Sequence, residues 1–142
     1  MAFLIESHPI NFQSLRESLA SPECGGFVFF EGRVRNHHED REVVGLHYEA
    51  YLELAQKEGL RLVDEVSRKF GVRAAAIHAV GDLKPGDLAV WVGAAAAHRE
   101  EAFAACRELI DAIKLRVPIW KRETYTDGHG EWIEGCHCVA HH

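Results

Sequence analysis

The chain has 142 residues, 47% apolar and 27% charged, and its 16 Lys plus Arg against 22 Asp plus Glu give a net charge of −6. That length suits one domain, expected over residues 1–142, and the apolar content can offset ordering entropy by burial, which excludes a disordered chain. A net-negative chain is a poor non-specific partner for nucleic acid, no apolar run approaches the ~20 residues of a spanning helix, and the start, Met1 to His8, lacks the order of a secretory signal, so the expectation is a cytoplasmic protein with no nucleic-acid or membrane partner.

Phe3–Ser7 reads as a short strand, and Asn11 offers a cap to a helix over Phe12–Ala20, stopped by Ser21-Pro22. Past the Cys24-Gly25-Gly26 turn, Phe27–Arg35 alternates with a period of two. Val28, Phe30, Gly32 and Val34 fall on one face; Phe27, Phe29, Glu31, Arg33 and Arg35 fall on the other. Asn36–Glu42 reads as a polar loop and Val43–Tyr51 as the next strand, which predicts a long-looped hairpin. Leu52–Phe70 has helical spacing, with Ala55, Gly59, Leu62, Val63, Val66 and Phe70 on one stripe, and Gly71 ends it. Arg73–Val80 and Leu88–Ala95 read as strands around Lys84–Asp87, where Pro85-Gly86 suits a type II turn. His98–Arg116 is a long helix lined by Ala102, Cys106, Leu109, Ile110 and Ile113, and Pro118 forces its end. Ile119–Thr126 and Glu131–Ile133 flank Asp127–Gly130 as a hairpin. This order predicts an α+β fold with mainly antiparallel pairing.

None of the four cysteines occupies a reactive setting. Cys106 falls on an apolar helical stripe, the place of a buried reduced thiol. Cys136 and Cys138 form a Cys-X-Cys rather than the Cys-X2-Cys of most zinc sites. With His137, His141 and His142 nearby, the tail reads as a polar terminus or a metal site; no second ligand pair supports the metal, so none is expected.

Four places set cations on a constrained frame. Arg33 and Arg35, two apart on a strand, project from one face about 7 Å apart, as a solvated edge or as a grip on an anion. His98-Arg99 opens a helix after a run of alanines, as a plain start or as an anion site built on free N–H groups. Lys114 borders the buried stripe of that helix, either snorkelling or turned inward. Lys121 and Arg122 follow Trp120 past Pro118, and alternation sets Lys121 with Glu123 and Trp120 with Arg122. Gathered in one pocket, these cations would lower lysine pKa values by repulsion and receive a phosphate or a carboxylate-ended partner. The serines sit in no nucleophile elbow, and no glycine-rich phosphate loop is present.

Phe30-Glu-Gly-Arg-Val-Arg-Asn36, Leu46-His-Tyr-Glu-Ala-Tyr51, Ala97-His-Arg99 with Ala102-Phe103, and Ile110-Asp-Ala-Ile-Lys114 through Pro118-Ile-Trp-Lys-Arg-Glu123 occur in this order. Together they make the chain resemble the MoaE family, the large catalytic subunits of molybdopterin synthase, over Phe3 to Ile133. The resemblance implies an α/β hammerhead-like fold with an additional antiparallel β subdomain, and a dimer of large subunits at the centre of a heterotetramer. At each end would sit a small ubiquitin-like sulfur carrier, its Gly-Gly C-terminus threaded into the large-subunit pocket. The implied activity is that of a sulfurtransferase. Thiocarboxylate sulfur from the carrier converts cyclic pyranopterin monophosphate into the molybdopterin dithiolene, and no cofactor is called for.

Carried over to this sequence, the implied pocket comprises Arg33, Val34, Arg35, His98, Arg99, Lys114, Lys121, Arg122 and Glu123, with Phe30 as a wall. Arg35, His98 and Arg99 would hold phosphate and pterin. Lys114 would stand nearest the thiocarboxylate and Lys121 second, with Glu123 orienting Lys121 or handling a proton. In such families a neighbouring large subunit can lend residues. The alternative is a non-catalytic module that keeps the pocket for binding, against which the intact Lys114 and Lys121 argue. Two departures stand out. Family members commonly carry an arginine where Ala79 follows His78, and the variable tail over Glu134–His142 matches no family pattern.

Overall fold

The structure, a computed structural model, describes residues 1–133. In chain order the elements are β1 (Ala2–Ser7), α1 (Gln13–Leu19), β2 (Gly26–Arg33), β3 (His37–His38), β4 (Arg41–Ala50), α2 (Leu52–Phe70), β5 (Arg73–Leu83), β6 (Leu88–Ala96), α3 (Arg99–Arg116), β7 (Ile119–Tyr125) and β8 (Gly130–Ile133). The fold is α+β, as the sequence predicts. Strand order is β2-β6-β5-β4-β7-β8, with β1 parallel to β5 and β3 paired to β4.

β5 belongs to two sections of this sheet. Its first part pairs with β6 and β1, and its end, Gly81–Leu83, pairs with Tyr48–Leu46 of β4. Gly81 makes the handover at a φ of 101°, a conformation that side chains resist. One section, β2-β6-β5-β1, therefore meets a second, β4-β7-β8, along a single long strand.

Alternation sorts the core into two layers. Ala74, Ala76, Val90 and Val92 face α2 and α3, whereas Ala75, Ile77, Ala79, Ala89 and Trp91 face α1. The alanine-rich face lets α3 lie close on the sheet. Where α3 starts, a Cβ on Gly26 would come within 2.9 Å of the Arg99 backbone, so only glycine admits the helix there. From Gly26 α3 runs along β2 and β6 until Ile110 and Ile113 pack at Val90, near the start of β6.

Three expectations need correction. The predicted β2–β4 hairpin does not form: β2 pairs with β6, and β4 pairs with β5 and β7. The connecting segment is instead consumed by its own tight turn, because Glu39 (φ 51°) and Asp40 (φ 65°) are both left-handed and fold His37–His38 back on Arg41–Glu42. The alternation of β2 also breaks. A register shift between Gly32 and Arg33 puts Val34 into the α1-side core, while Val28 packs on the α3 side. A one-residue slip reverses faces, which period counting cannot foresee.

Elsewhere expectation and structure agree closely. The Lys84–Asp87 turn closes with Gly86 at φ 93°, whereas Asn11 accepts the Gln13 N–H (3.0 Å) from one residue before Phe12, which stands at the cap of α1 with no side-chain bond of its own. Cys106 is a free, buried thiol that burial pushes up to about 11. The Cys136, Cys138 and histidine tail lies outside the described residues. Among the described residues, no helix is long and apolar enough to cross a membrane.

Candidate functional site

The two sheet sections and the last turns of α3 enclose a small cavity. Cross-strand pairing sets Tyr48 beside Lys121 and His78 beside Val90. Pro118 ends α3, and alternation along β7 turns Ile119, Lys121, Glu123 and Tyr125 to one side. The cavity, ≈ 50 Å³, has aliphatic walls from Val90, Ile110, Ile113, Val117 and Ile119. Its polar lining is Tyr48, His78, Lys114 and Lys121. His78 is buried, Lys121 half-buried, and Lys114 exposed in the last turn of α3.

Both lysines thus face one hollow, and neither forms an ion pair with a carboxylate among the described residues. Burial lowers the Lys121 pKa from the ordinary lysine value; the charges of Lys114 and Arg35 push the same way, and Glu123 opposes them. His78 is pushed down to about 4, first by burial and further by both lysine charges, against the opposing effect of its hydrogen bond to Ala79. Burial, with the nearby Glu123 charge, pushes the Tyr48 hydroxyl up to about 12.

Glu123 is buried next to this hollow. It accepts hydrogen bonds from His38 Nδ1 (2.7 Å) and the Tyr125 hydroxyl (2.8 Å), and burial together with that bond pushes Tyr125 up to about 12. Its hydrogen bonds therefore hold the β3 turn and Tyr125, while it reaches Lys121 through charge alone.

Of the remaining predicted residues, Arg35 comes near the hollow and the others do not. Arg33 donates to Glu31 Oε1 (2.9 Å) and the Gly86 carbonyl (2.8 Å), whereas Arg35 is close enough for its charge to act on Lys121, so the two do not work as a pair. Val34 is 6% exposed in the opposite core layer and is no part of the hollow. Arg122 lies on the other face of β7, its guanidinium over Gly130. Phe30 is exposed on β2 and does not line the cavity. His98 and Arg99 are exposed at the far end of α3, about 24 Å from Lys114 at 1.5 Å per residue.

Sequence reasoning missed His78 and Tyr48. The signal for His78 was available: it is the one ionisable side chain in the apolar run from Ala74 to Val80. Ala79, the departure noted above, faces the α1-side core, so the cavity wall is complete without a side chain there.

The model of the family described as MoaE protein matches residues 5–116. The chain is 40% identical over 129 residues to the molybdopterin synthase catalytic subunit of Thermoplasma volcanium, covering 90% of this chain and 94% of that one. It is 38% identical over 130 residues to molybdopterin synthase catalytic subunit 1 of Mycobacterium tuberculosis, covering 91% and 88%. The chain belongs to the MoaE family. Its fold superposes on the crystal structure of molybdopterin synthase from Staphylococcus aureus with a TM-score of 0.87 at 33% identity, covering 92% of this chain and 96% of that one. The MoaE match takes in Tyr48, His78 and Lys114; Lys121 joins them through the pairing of β7 with β4.

Proposed function

We propose that this MoaE chain is the catalytic subunit of a molybdopterin synthase. It acts as a sulfurtransferase that moves sulfur from the C-terminal thiocarboxylate of a small ubiquitin-like carrier onto cyclic pyranopterin monophosphate. The observation that carries this reading is the pair Lys114 and Lys121 on one aliphatic-walled hollow with no carboxylate paired to either. Two ammonium groups facing apolar walls lack a counter-charge, and an entering anion supplies it. The thiocarboxylate sulfur adds to an electrophilic carbonyl carbon of the pterin side chain, forming a C–S bond as the carbonyl π bond breaks, and its oxygen takes a proton and later leaves as water. Water then cleaves the resulting thioester, leaving a carboxylate on the carrier and the sulfur on the pterin. Lys114 donates to the thiocarboxylate, and Lys121, an amine more readily neutral than an ordinary lysine, takes the proton released. No cysteine is needed, in keeping with the buried Cys106. Free thiols at Cys24 and Cys106 suit the reducing cytoplasm.

A hollow of ≈ 50 Å³ is far smaller than the roughly 300–1,000 Å³ of ligand pockets, so it admits the narrow end of the carrier tail and not a whole pterin. The rest of the site comes from a second copy of the chain, whose His98 and Arg99 bind phosphate at a helix start. β2 ends the sheet with Phe29 and Phe30 exposed, a surface suited to such self-association. The test is conversion of cyclic pyranopterin monophosphate by the chain mixed with thiocarboxylated carrier. The wild-type protein forms product, and Lys114→Ala loses about 10³-fold in rate with an unchanged circular dichroism spectrum. A Lys114→Ala variant with wild-type turnover contradicts the assignment.

A further inference from the structure

His78 sits on the α3-facing side of β5, in register with Ala74 and Ala76, where every second residue is otherwise a small apolar one. Its Nδ1 lies 2.7 Å from the Ala79 carbonyl oxygen. A carbonyl only accepts, so Nδ1 carries the hydrogen and the tautomer is fixed. The Tyr48 ring stands edge-on to the imidazole, centroids 4.9 Å apart at 77°, and stops it from turning. Burial keeps the ring neutral at physiological pH, its pKa near 4. Nε2 is therefore a bare lone pair. It makes no hydrogen bond to a described residue and belongs to a side chain that lines the cavity.

The groups facing it are Lys114 from α3, Lys121 from β7 and the Tyr48 ring from β4, with Glu123 and Arg35 acting at longer range. Of the two lysine charges, that of Lys114 weighs more on the ring. Lys114 is also the exposed one, and a free lysine stem carries rotamer entropy that an oriented donor must give up. We propose that His78 is a positioning residue for Lys114: the exposed Lys114 side chain, which makes no hydrogen bond to the ring as it stands, swings inward so that the Nε2 lone pair takes one N–H of the ammonium and aims the other two at the anion in the hollow. A carboxylate in this position would neutralise the amine; a neutral, tautomer-locked imidazole orients it and leaves the charge for the substrate. This rests on the reading of the hollow as the sulfur-transfer site.

The test combines a spectrum of the protein alone with kinetics. In 15N spectra of the wild-type chain at pH 7, His78 Nε2 resonates as an unprotonated, hydrogen-bonded nitrogen and the Lys114 ammonium gives a slowly exchanging signal. In His78→Leu that ammonium signal is lost and kcat falls about 100-fold with KM for the carrier changed less than threefold. His78→Gln, which returns an oxygen acceptor near the Nε2 position, restores most of both. A protonated Nε2 in the wild-type protein, or a His78→Leu variant with wild-type kcat and an intact ammonium signal, overturns the proposal. If His78→Leu does not fold, the wild-type spectrum and His78→Gln decide: a Lys114 ammonium that exchanges freely in the wild type overturns it. Absence of product from the wild-type chain with thiocarboxylated carrier would count against the reaction assigned above, while the 15N spectra would still decide the role of His78.

Discussion

The two ends of α3 carry the charged residues that matter, and they differ in kind. At the C-terminal end Lys114 borders a hollow whose floor and walls come from β4, β5, β6 and β7. At the N-terminal end His98 and Arg99 have free helix N–H groups beside them but stand exposed on an open surface. One end has concavity without room for a phosphorylated pterin; the other has anion-binding groups without concavity. On the proposed reading a single chain holds two half-sites about 24 Å apart, and each has what the other lacks.

The sharpest way to break this contrast is at the enclosed end. Lys121→Arg keeps the charge but removes the ability to lose a proton at accessible pH. We expect turnover to fall at least 100-fold, with loss of the rate increase that the wild type shows as pH rises toward the Lys121 pKa. Because that pKa is depressed, the midpoint of the wild-type rise lies below pH 10.5, the ordinary lysine value. A pH–rate profile of both proteins checks it. At the open end, Arg99→Ala should cost about tenfold in kcat/KM for the pterin and leave affinity for the carrier unchanged, as loss of one exposed charge-assisted contact predicts. The smallest effect on activity is expected at Val34. Val34→Ala removes buried methyl groups from the α1-side layer, lowering stability by about 2 kcal/mol in urea denaturation with kcat unchanged.

Much of this arrangement was legible from residue order. Helical spacing located α2 and α3, Pro118 and Gly71 marked their ends, and alternation turned Lys121 and Glu123 to one side of β7. What escaped was long-range. The pairing of β2 with β6 and not β4 depends on which partner buries its face best, information carried by residues some sixty positions away. The face of Val34 depends on a register shift that leaves no mark in hydrophobic period. His78 escaped because its importance comes from what surrounds it: two lysines from α3 and β7, a ring from β4 and the carbonyl of its own neighbour. Conversely, His98 and Arg99 look like neighbours of Lys114 because one helix carries all three, yet the rise of that helix is what separates them.

Subunit complementation tests the joining of these half-sites most directly. Lys114→Ala and Arg99→Ala, the second made severe by adding His98→Ala, are each assayed alone and then after mixing under conditions that let subunits exchange. If the lysine hollow of one copy works with the His98-Arg99 pair of another, half of the dimers are mixed, each with one intact site, and activity returns to about a quarter of wild type. Mixtures that stay as inactive as their parents, although mass spectrometry shows that the subunits have exchanged, would contradict the account.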